Sequence, residues 1–433
     1  MERIYDDALN EEIYINSYSN GLKAFVIKKK NFSKAFAGFA TKYGSVDGKF
    51  VHPKTKEVVE VPDGIAHFLE HKLFEEEEGN VFDRFAKFGA MANAFTSFKE
   101  TVYYFISTQN FYENFEILLD FVQNPYFTDQ NVEKEKGIIG QEIRMYQDNP
   151  NWRVYFNLLN ALYVNNPVKI DIAGTLESIQ KITKEDLYLC YNTFYHPSNM
   201  IIVVCGDVDP QKVFDTIERM EKTREYQSLI ERIYPDEPEN VNQKKIETSL
   251  SVAMPIFYIG FKDNQNDLPP YEMIMKDIQT QIVAETLFGK STDFYEMLYK
   301  EGLINQNFGF EYNCEPEYSF FMIGGESKDP EEVYRRIIEH VEDVKKKGIN
   351  REEFERAKKV VLGNHLRKFD NPEKISVEFI YSYFKGVNIF EYVKEIASVS
   401  FEMCEKRLRE FFDENTSCIS VVWPADKKNS VME

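Results

Sequence analysis

Histidine is scarce in this chain, six in 433 residues, and so is cysteine, at five. The cysteines, Cys190, Cys205, Cys314, Cys404 and Cys418, are odd in number, widely scattered and never in C-x-x-C spacing. That argues against a disulfide framework and against a thiolate metal site; they read as reduced thiols, in the core or at the surface. Long apolar runs are missing too. The longest, Met200–Cys205, is far shorter than the roughly 20 residues of a membrane-spanning helix. The stretch Met1–Asp7 has neither an apolar signal core nor an Arg- and Ser-rich transit character, so the expected location is cytoplasmic, with no membrane partner. Positive charge is in deficit: 52 Lys and Arg against 72 Asp and Glu give a formal charge of −20. A surface of that sign repels a phosphate backbone, which argues against a nucleic-acid partner and weakly favours cationic substrates.

Apolar and aromatic residues, by contrast, are plentiful at 43% and 15%, the composition of a well-packed globular chain. The length predicts two domains. Between Glu12 and Gly44 the residues alternate like paired strands, Gly21–Ile27 and then Ala35–Thr41. A charged, proline-containing loop from Val51 to Val61 then leads into a short helical stretch beginning at Asp63-Gly64, with Asp63 the expected N-cap.

Two of the six histidines meet in this stretch, as H-x-x-E-H: His67, Glu70 and His71. At about 100° per residue these three share one arc of a helix, and Ile65, Phe68, Leu69 and Leu73 share the opposite one. Imidazoles at i and i+4 lie one turn apart and can hold one small ion. Zinc suits them, since a catalytic zinc takes three nitrogen or oxygen ligands and leaves a position open. Glu70 is poorly placed as the third ligand and well placed as a general base toward water. With so few histidines, this spacing favours a metal over two unrelated core residues. The acidic run Glu75–Glu78 that follows is expected to be a solvated loop.

Further on, Val81–Phe88 reads as a helix, Thr101–Ile106 as a strand and Tyr112–Gln123 as a helix. The small residues Ala92, Asn93 and Ala94 fit either an exposed edge to which an extended peptide adds or an ordinary buried turn. Thr128 can cap a long helix running through Tyr146. On it Glu135 and Glu142, two turns apart, share a stripe that can supply the third ligand.

With these residues the chain resembles the pitrilysin/insulinase-type zinc peptidases, the inverzincins, which include the mitochondrial processing peptidase. In that family H-x-x-E-H is followed at a distance by E-x6-E, whose later glutamate binds zinc; here Glu142 lies 71 residues after His71. The resemblance implies Zn2+ held by His67, His71 and Glu142. It implies Glu70 as the catalytic base and Glu135 as a carboxylate supporting the ligands. Ala92, Asn93, Ala94, Phe95 and Thr96 resemble the family's substrate-pairing edge, and Tyr195-His196-Pro197-Ser198-Asn199 its Y-x-P-x-N landmark. The likeness extends over essentially the whole chain and is strongest to the zinc-bearing members of the cytoplasmic Gram-positive branch. It implies an α+β fold of two related α/β domains, each with a largely antiparallel sheet packed by helices, together forming one half of a clamshell.

The expected domains are 1–220, which carries the zinc, and 248–433, which lacks the metal motif; the charged, proline-containing stretch 221–247 is the expected linker. The second domain echoes the first weakly, with Ala284–Gly289, a short helix and Glu301-Gly302-Leu303 paralleling the metal helix, the next helix and Phe88-Gly89-Ala90. His340 and His365 read as surface residues. Family members usually carry R-x4-L-x-Y or R-x3-G-L-x-Y here, whose arginine and tyrosine hold substrate; the matching positions are Leu298 and Asn305, with Tyr299 and Lys300 out of register. The expected role is therefore a zinc-dependent endopeptidase subunit acting on peptides in an enclosed chamber. Its partner in a heterodimer would be a homologous subunit supplying the missing motif. A homodimer, a non-proteolytic assembly subunit and a maturation protease dedicated to one precursor peptide are the alternatives.

Overall fold

The alternating segments near the start of the chain become strands β1 (Glu2–Asp6), β2 (Glu11–Ser17), β3 (Lys23–Lys28) and β4 (Ala35–Thr41). They are joined by β5 (Met91–Thr96), β6 (Thr101–Ser107) and β7 (Met200–Gly206). The computed structural model describes residues 1–7, 9–77, 79–222 and 224–425. These strands form one sheet in the order β1-β2-β3-β7-β4-β6-β5, with every pairing antiparallel except β3 to β7. The unbroken apolar run of β7 follows from its place, since all seven of its residues are buried in mid-sheet. Helices α1 (Ile65–Leu73), α2 (Val81–Lys87), α3 (Phe111–Val122), α4 (Asp129–Asp148) and α5 (Pro150–Leu162) follow in chain order.

Successive residues of β6 serve opposite faces. Tyr103 meets Phe74 and Phe121, and Phe105 meets Phe111, on the side of α1 and α3, whereas Tyr104 meets Phe36 and Phe95 on the other.

A second sheet repeats this plan. Strands β8 (Lys245–Leu250), β9 (Ile256–Asp263), β10 (Gly309–Cys314), β11 (Ser319–Glu326) and β12 (Ser417–Pro424) lie in the order β8-β12-β9-β11-β10. One parallel pair, β8 with β12, is followed by antiparallel pairs, matching β3-β7-β4-β6-β5 strand for strand. Helices α6 (Pro270–Phe288) and α7 (Asp293–Lys300) occupy the places of α1 and α2. The fold is thus α+β with two related, largely antiparallel sheets.

The compact units are not contiguous in sequence. Met1–Ile143, Asp171–Ile233 and Lys368–Phe384 make one; Arg144–Ile170, Tyr234–Arg367 and Lys385 onward make the other. This departs from the expected division at 220 and 248, because each half lends a helix to the other sheet. Helix α5 packs on β8, β9 and β12, and α8 (Pro372–Phe384) packs on β4 and β7. Glycine makes room for the first exchange: a Cβ on Gly260 would lie 2.9 Å from Leu162 Cδ1 and 3.0 Å from Leu158 Cδ1. The expected linker contains the crossover at Ile233–Tyr234, yet it is held on both sides. Glu231 and Arg232 pair with Val51 and Phe50, while Glu237 accepts the N–H groups of Val164, Asn165 and Asn166 and pairs with the buried Lys262 at 2.5 Å.

Three smaller expectations are corrected. His365 is buried and stacks on Tyr392, and the half-buried His340 stacks on Phe294 with ring centroids 4.1 Å apart, so neither is a surface residue. In the acidic run, Glu75 and Glu76 pair with Gly79 and Asn80 as a short hairpin, while Glu78 lies outside the described residues. Glu76 is held by Arg84 at 2.5 Å.

The Tyr195–Asn199 stretch proves to be a clasp. Asn199 Nδ2 donates to the Lys42 and Phe194 carbonyls (3.0 and 2.8 Å), tying the end of β4 to the start of β7, and the Tyr195 and Tyr103 hydroxyls lie 2.8 Å apart. All five cysteines are free and buried. No helix among the described residues is long and apolar enough to cross a membrane.

Candidate metal centre

Helix α1 begins at a tight crossing. Its N-cap is Gly64, at φ +88°, where a Cβ would lie 2.4 Å from the Ala173 carbonyl oxygen; glycine alone fits. Asp63, the expected cap, uses its backbone instead, its carbonyl accepting from Ser178 Oγ at 2.8 Å. Ile65, Phe68, Leu69 and Leu73 enter the core as their arc predicts. The other arc is covered as well, by α4 and the edge strand β5, so that His67 and Glu70 are each only 8% exposed.

Thr128 caps α4 as expected, its Oγ1 accepting from Asn131 N at 3.1 Å. The helix carries Glu142 to both imidazoles: Glu142 Oε2 lies 3.8 Å from His67 Nε2 and 3.5 Å from His71 Nε2. One donor atom from each of the three residues falls within 4.8 Å of the others. Two donors about 2.1 Å from one tetrahedral zinc would stand about 3.4 Å apart, close to the distances from Glu142 Oε2 to the two Nε2 atoms. Two nitrogens and a carboxylate oxygen are a donor set zinc accepts, and three ligands leave one position open. The side chains of His71 and Glu142, 26% and 22% exposed, keep that side open to solvent.

Glu135, two turns before Glu142, is not a fourth member of this set. Its Oε1 meets His71 Nδ1 at 3.1 Å, a contact that fixes the ring so that Nε2 faces Glu142. Burial alone would raise the Glu135 carboxyl, but His71 and Lys72 override it and hold it below its ordinary value. For His71 burial works downward, and the hydrogen bond with Glu135 and the charges of Glu70 and Glu142 reverse it, leaving the ring above its usual value. His67 goes the other way: burial, with the neighbouring His71, lowers it to about 3 and keeps the ring neutral, the form that ligates metals.

Glu70 lies near enough for its charge to act on His71. It turns toward β5, where Thr96 Oγ1 donates to its Oε2 at 2.6 Å. Thr101 Oγ1 lies 3.3 Å from Thr96 Oγ1 and donates to the Tyr43 carbonyl. Burial pushes the Glu70 carboxyl up, and the Thr96 hydrogen bond pulls against it. Thr96 was legible as part of an edge; its grip on Glu70 was not, because no local spacing joins residues 70 and 96. Thr96→Val is expected to lower kcat about tenfold, the scale of a hydrogen bond to a charged group. KM and metal affinity should stay near wild type, and Thr96→Ser should recover most of the rate. Steady-state kinetics that do not separate serine from valine would remove Thr96 from this role.

Among the described residues, strand β5 is the outer strand of its sheet and pairs with β6 alone. Ala92, Asn93, Ala94, Phe95 and Thr96 therefore all lie on an edge. The Ala94 N–H is taken by Asn93 Oδ1 at 2.9 Å, and the Phe95 ring lies 6.2 Å from that of Tyr104 and 6.1 Å from that of Tyr381.

Residues 59–176, which contain the three donors and Glu70, match the family model described as Insulinase (Peptidase family M16). Across 406 residues the chain is 43% identical to the uncharacterized zinc protease YmfH of Bacillus subtilis, covering 93% of this chain and 95% of that relative. The chain belongs to peptidase family M16. A structure described as an M16-like peptidase, from Alicyclobacillus acidocaldarius, superposes with a TM-score of 0.92 at 38% identity, over 96% of this chain and 99% of that one. A probable mitochondrial-processing peptidase subunit beta of Arabidopsis thaliana is 27% identical over 163 residues, 36% of this chain and 31% of that protein. Residues 181–361 match the model described as Peptidase M16 inactive domain. Within that stretch α6, the counterpart of α1, contains no histidine.

Proposed function

We propose that this M16 chain is a zinc-dependent endopeptidase subunit that hydrolyses extended peptides. The observation that carries the reading is the meeting of His67, His71 and Glu142 on one side of α1, with Glu70 held beside them by the edge strand. These three side chains would hold the zinc. A bound zinc supplies positive charge that acidifies water and polarises a carbonyl.

The remaining work falls to the chain. Glu70 accepts the proton of the attacking water and delivers it to the leaving amine, and Thr96 keeps its carboxylate turned to one rotamer. Backbone groups along Ala92–Thr96 would bind the substrate as an added strand, which favours extended peptides over a particular sequence. Glu135 holds the His71 ring.

The proposal extends to a heterodimer in which a homologous subunit brings an arginine and a tyrosine to the substrate and closes a chamber. It is supported by what stands at the corresponding positions here. Leu298 is fully buried and Asn305 donates to Glu326 at 2.5 Å, and neither offers the guanidinium or the phenol of the family's arginine and tyrosine.

The test is cleavage of an unbiased peptide mixture by the purified zinc-loaded chain, alone and with a homologous subunit bearing the arginine and tyrosine. Activity should require the second subunit, vanish on chelation and return with zinc. Cleavage by the chain alone would overturn the division of labour and leave the peptidase. No cleavage in either arm by a chain that holds zinc would overturn the peptidase itself.

A further inference from the structure

Between His71 and Leu73 the metal helix carries Lys72, whose side chain is 0% exposed. A methionine or leucine would fill that space without removing an ammonium from water, which is strongly unfavourable unless the charge is paired. The charge therefore needs a use. Among the described residues, two carboxylates stand within ion-pair distance of it. Glu75, on the short hairpin after α1, accepts a hydrogen bond from Lys72 Nζ. Glu135 Oε2 lies 3.6 Å away.

Glu135 is thus gripped at both ends, with Oε1 on His71 Nδ1 and Oε2 facing Lys72. One carboxylate joins two consecutive residues of α1, one a candidate ligand and the other a buried cation. The hairpin that brings Glu75 is itself anchored, through Arg84 to Glu76 and through the Val81 N–H to the Phe74 carbonyl.

We propose that Lys72 is a positioning residue for the metal centre, fixing the Glu135 carboxylate against His71 and so setting the orientation of that ligand and the affinity of the site for zinc. The inference rests on the reading of His71 as a ligand. It adds a third layer around the metal position, in the order His71, Glu135, Lys72. Partners of this kind behind a ligating histidine typically govern metal affinity over a range of about 10–100-fold.

The test is a double-mutant cycle on zinc affinity, read by competition with a chromophoric chelator on the full chain, with thermal melting to establish that each variant is folded. Lys72→Met is expected to weaken zinc binding about tenfold, and Glu135→Gln by about 10–100-fold. Because Lys72 acts through Glu135, the double variant should bind zinc no more weakly than Glu135→Gln alone. Zinc affinity unchanged in folded Lys72→Met, or losses that multiply in the double variant, would overturn the proposal. If Lys72→Met by itself does not fold, the comparison of the double variant with Glu135→Gln still decides, since that pair removes both charges together. A wild-type chain without measurable zinc affinity would instead overturn the metal-centre reading beneath it.

Discussion

Glu70→Gln is expected to lower kcat by about 10²–10⁴-fold, the contribution of a positioned general base, while zinc affinity stays within a few-fold of wild type. Glutamine keeps the shape of the side chain and an oxygen to accept from Thr96 Oγ1, the bond that holds Glu70 against β5 at 2.6 Å. It cannot take a proton. All three donor side chains, His67, His71 and Glu142, are retained, and Glu70 faces the edge strand. Rate and metal content should therefore separate. A variant with near-normal turnover would remove Glu70 as the base; one that had lost zinc would show that Glu70 supports the site rather than the proton transfer.

His67→Ala is expected to abolish both tight zinc binding and peptide hydrolysis, with the chain remaining folded. Two donors then remain of the three that converge, and a catalytic zinc site with an open position has none to spare. Metal analysis after gel filtration, beside a melting curve, checks this. Stoichiometric zinc retained by the variant would exclude His67 as a ligand.

In the wild type, the pH dependence of zinc affinity separates the two histidines. His67, lowered to about 3, is neutral throughout the working range. His71 is held above its ordinary value, against the effect of burial, by Glu135, Glu70 and Glu142. Its proton competes with the metal, so zinc affinity should fall as pH falls through the raised His71 pKa, with about one proton displaced per zinc bound. Affinity that is flat with pH across the neutral range would contradict that assignment.

Much of the candidate metal centre was legible before any coordinates, because its parts are repeats of short helical spacings. His67 and His71 stand one turn apart and Glu135 and Glu142 two turns apart, and each pair does emerge on one side of its helix. Periodicity left open which of the two glutamates joins the histidines. The separation follows from how α4 crosses α1, which places Glu142 within 4 Å of both Nε2 atoms and Glu135 beside Nδ1. Asp63 misled for a local reason: it is a good capping residue one position too early. The chain turns instead at Gly64, where the backbone at Ala173 leaves no room for a side chain.

By itself, then, the sequence determined the paired strands near the start of the chain, the helix bearing H-x-x-E-H, the candidate donors and the small-residue stretch that proves to be an edge, while the two related antiparallel sheets were implied by the family resemblance. Alternation and helical spacing are properties of a few neighbouring residues, and they survive whatever the rest of the chain does. Tertiary structure alone decided the exchange of α5 and α8 between the sheets, the turning of Glu70 toward Thr96 and the burial of Lys72 between Glu75 and Glu135. Each depends on surfaces that meet across long separations in sequence, where shape and charge are matched only after both partners have folded.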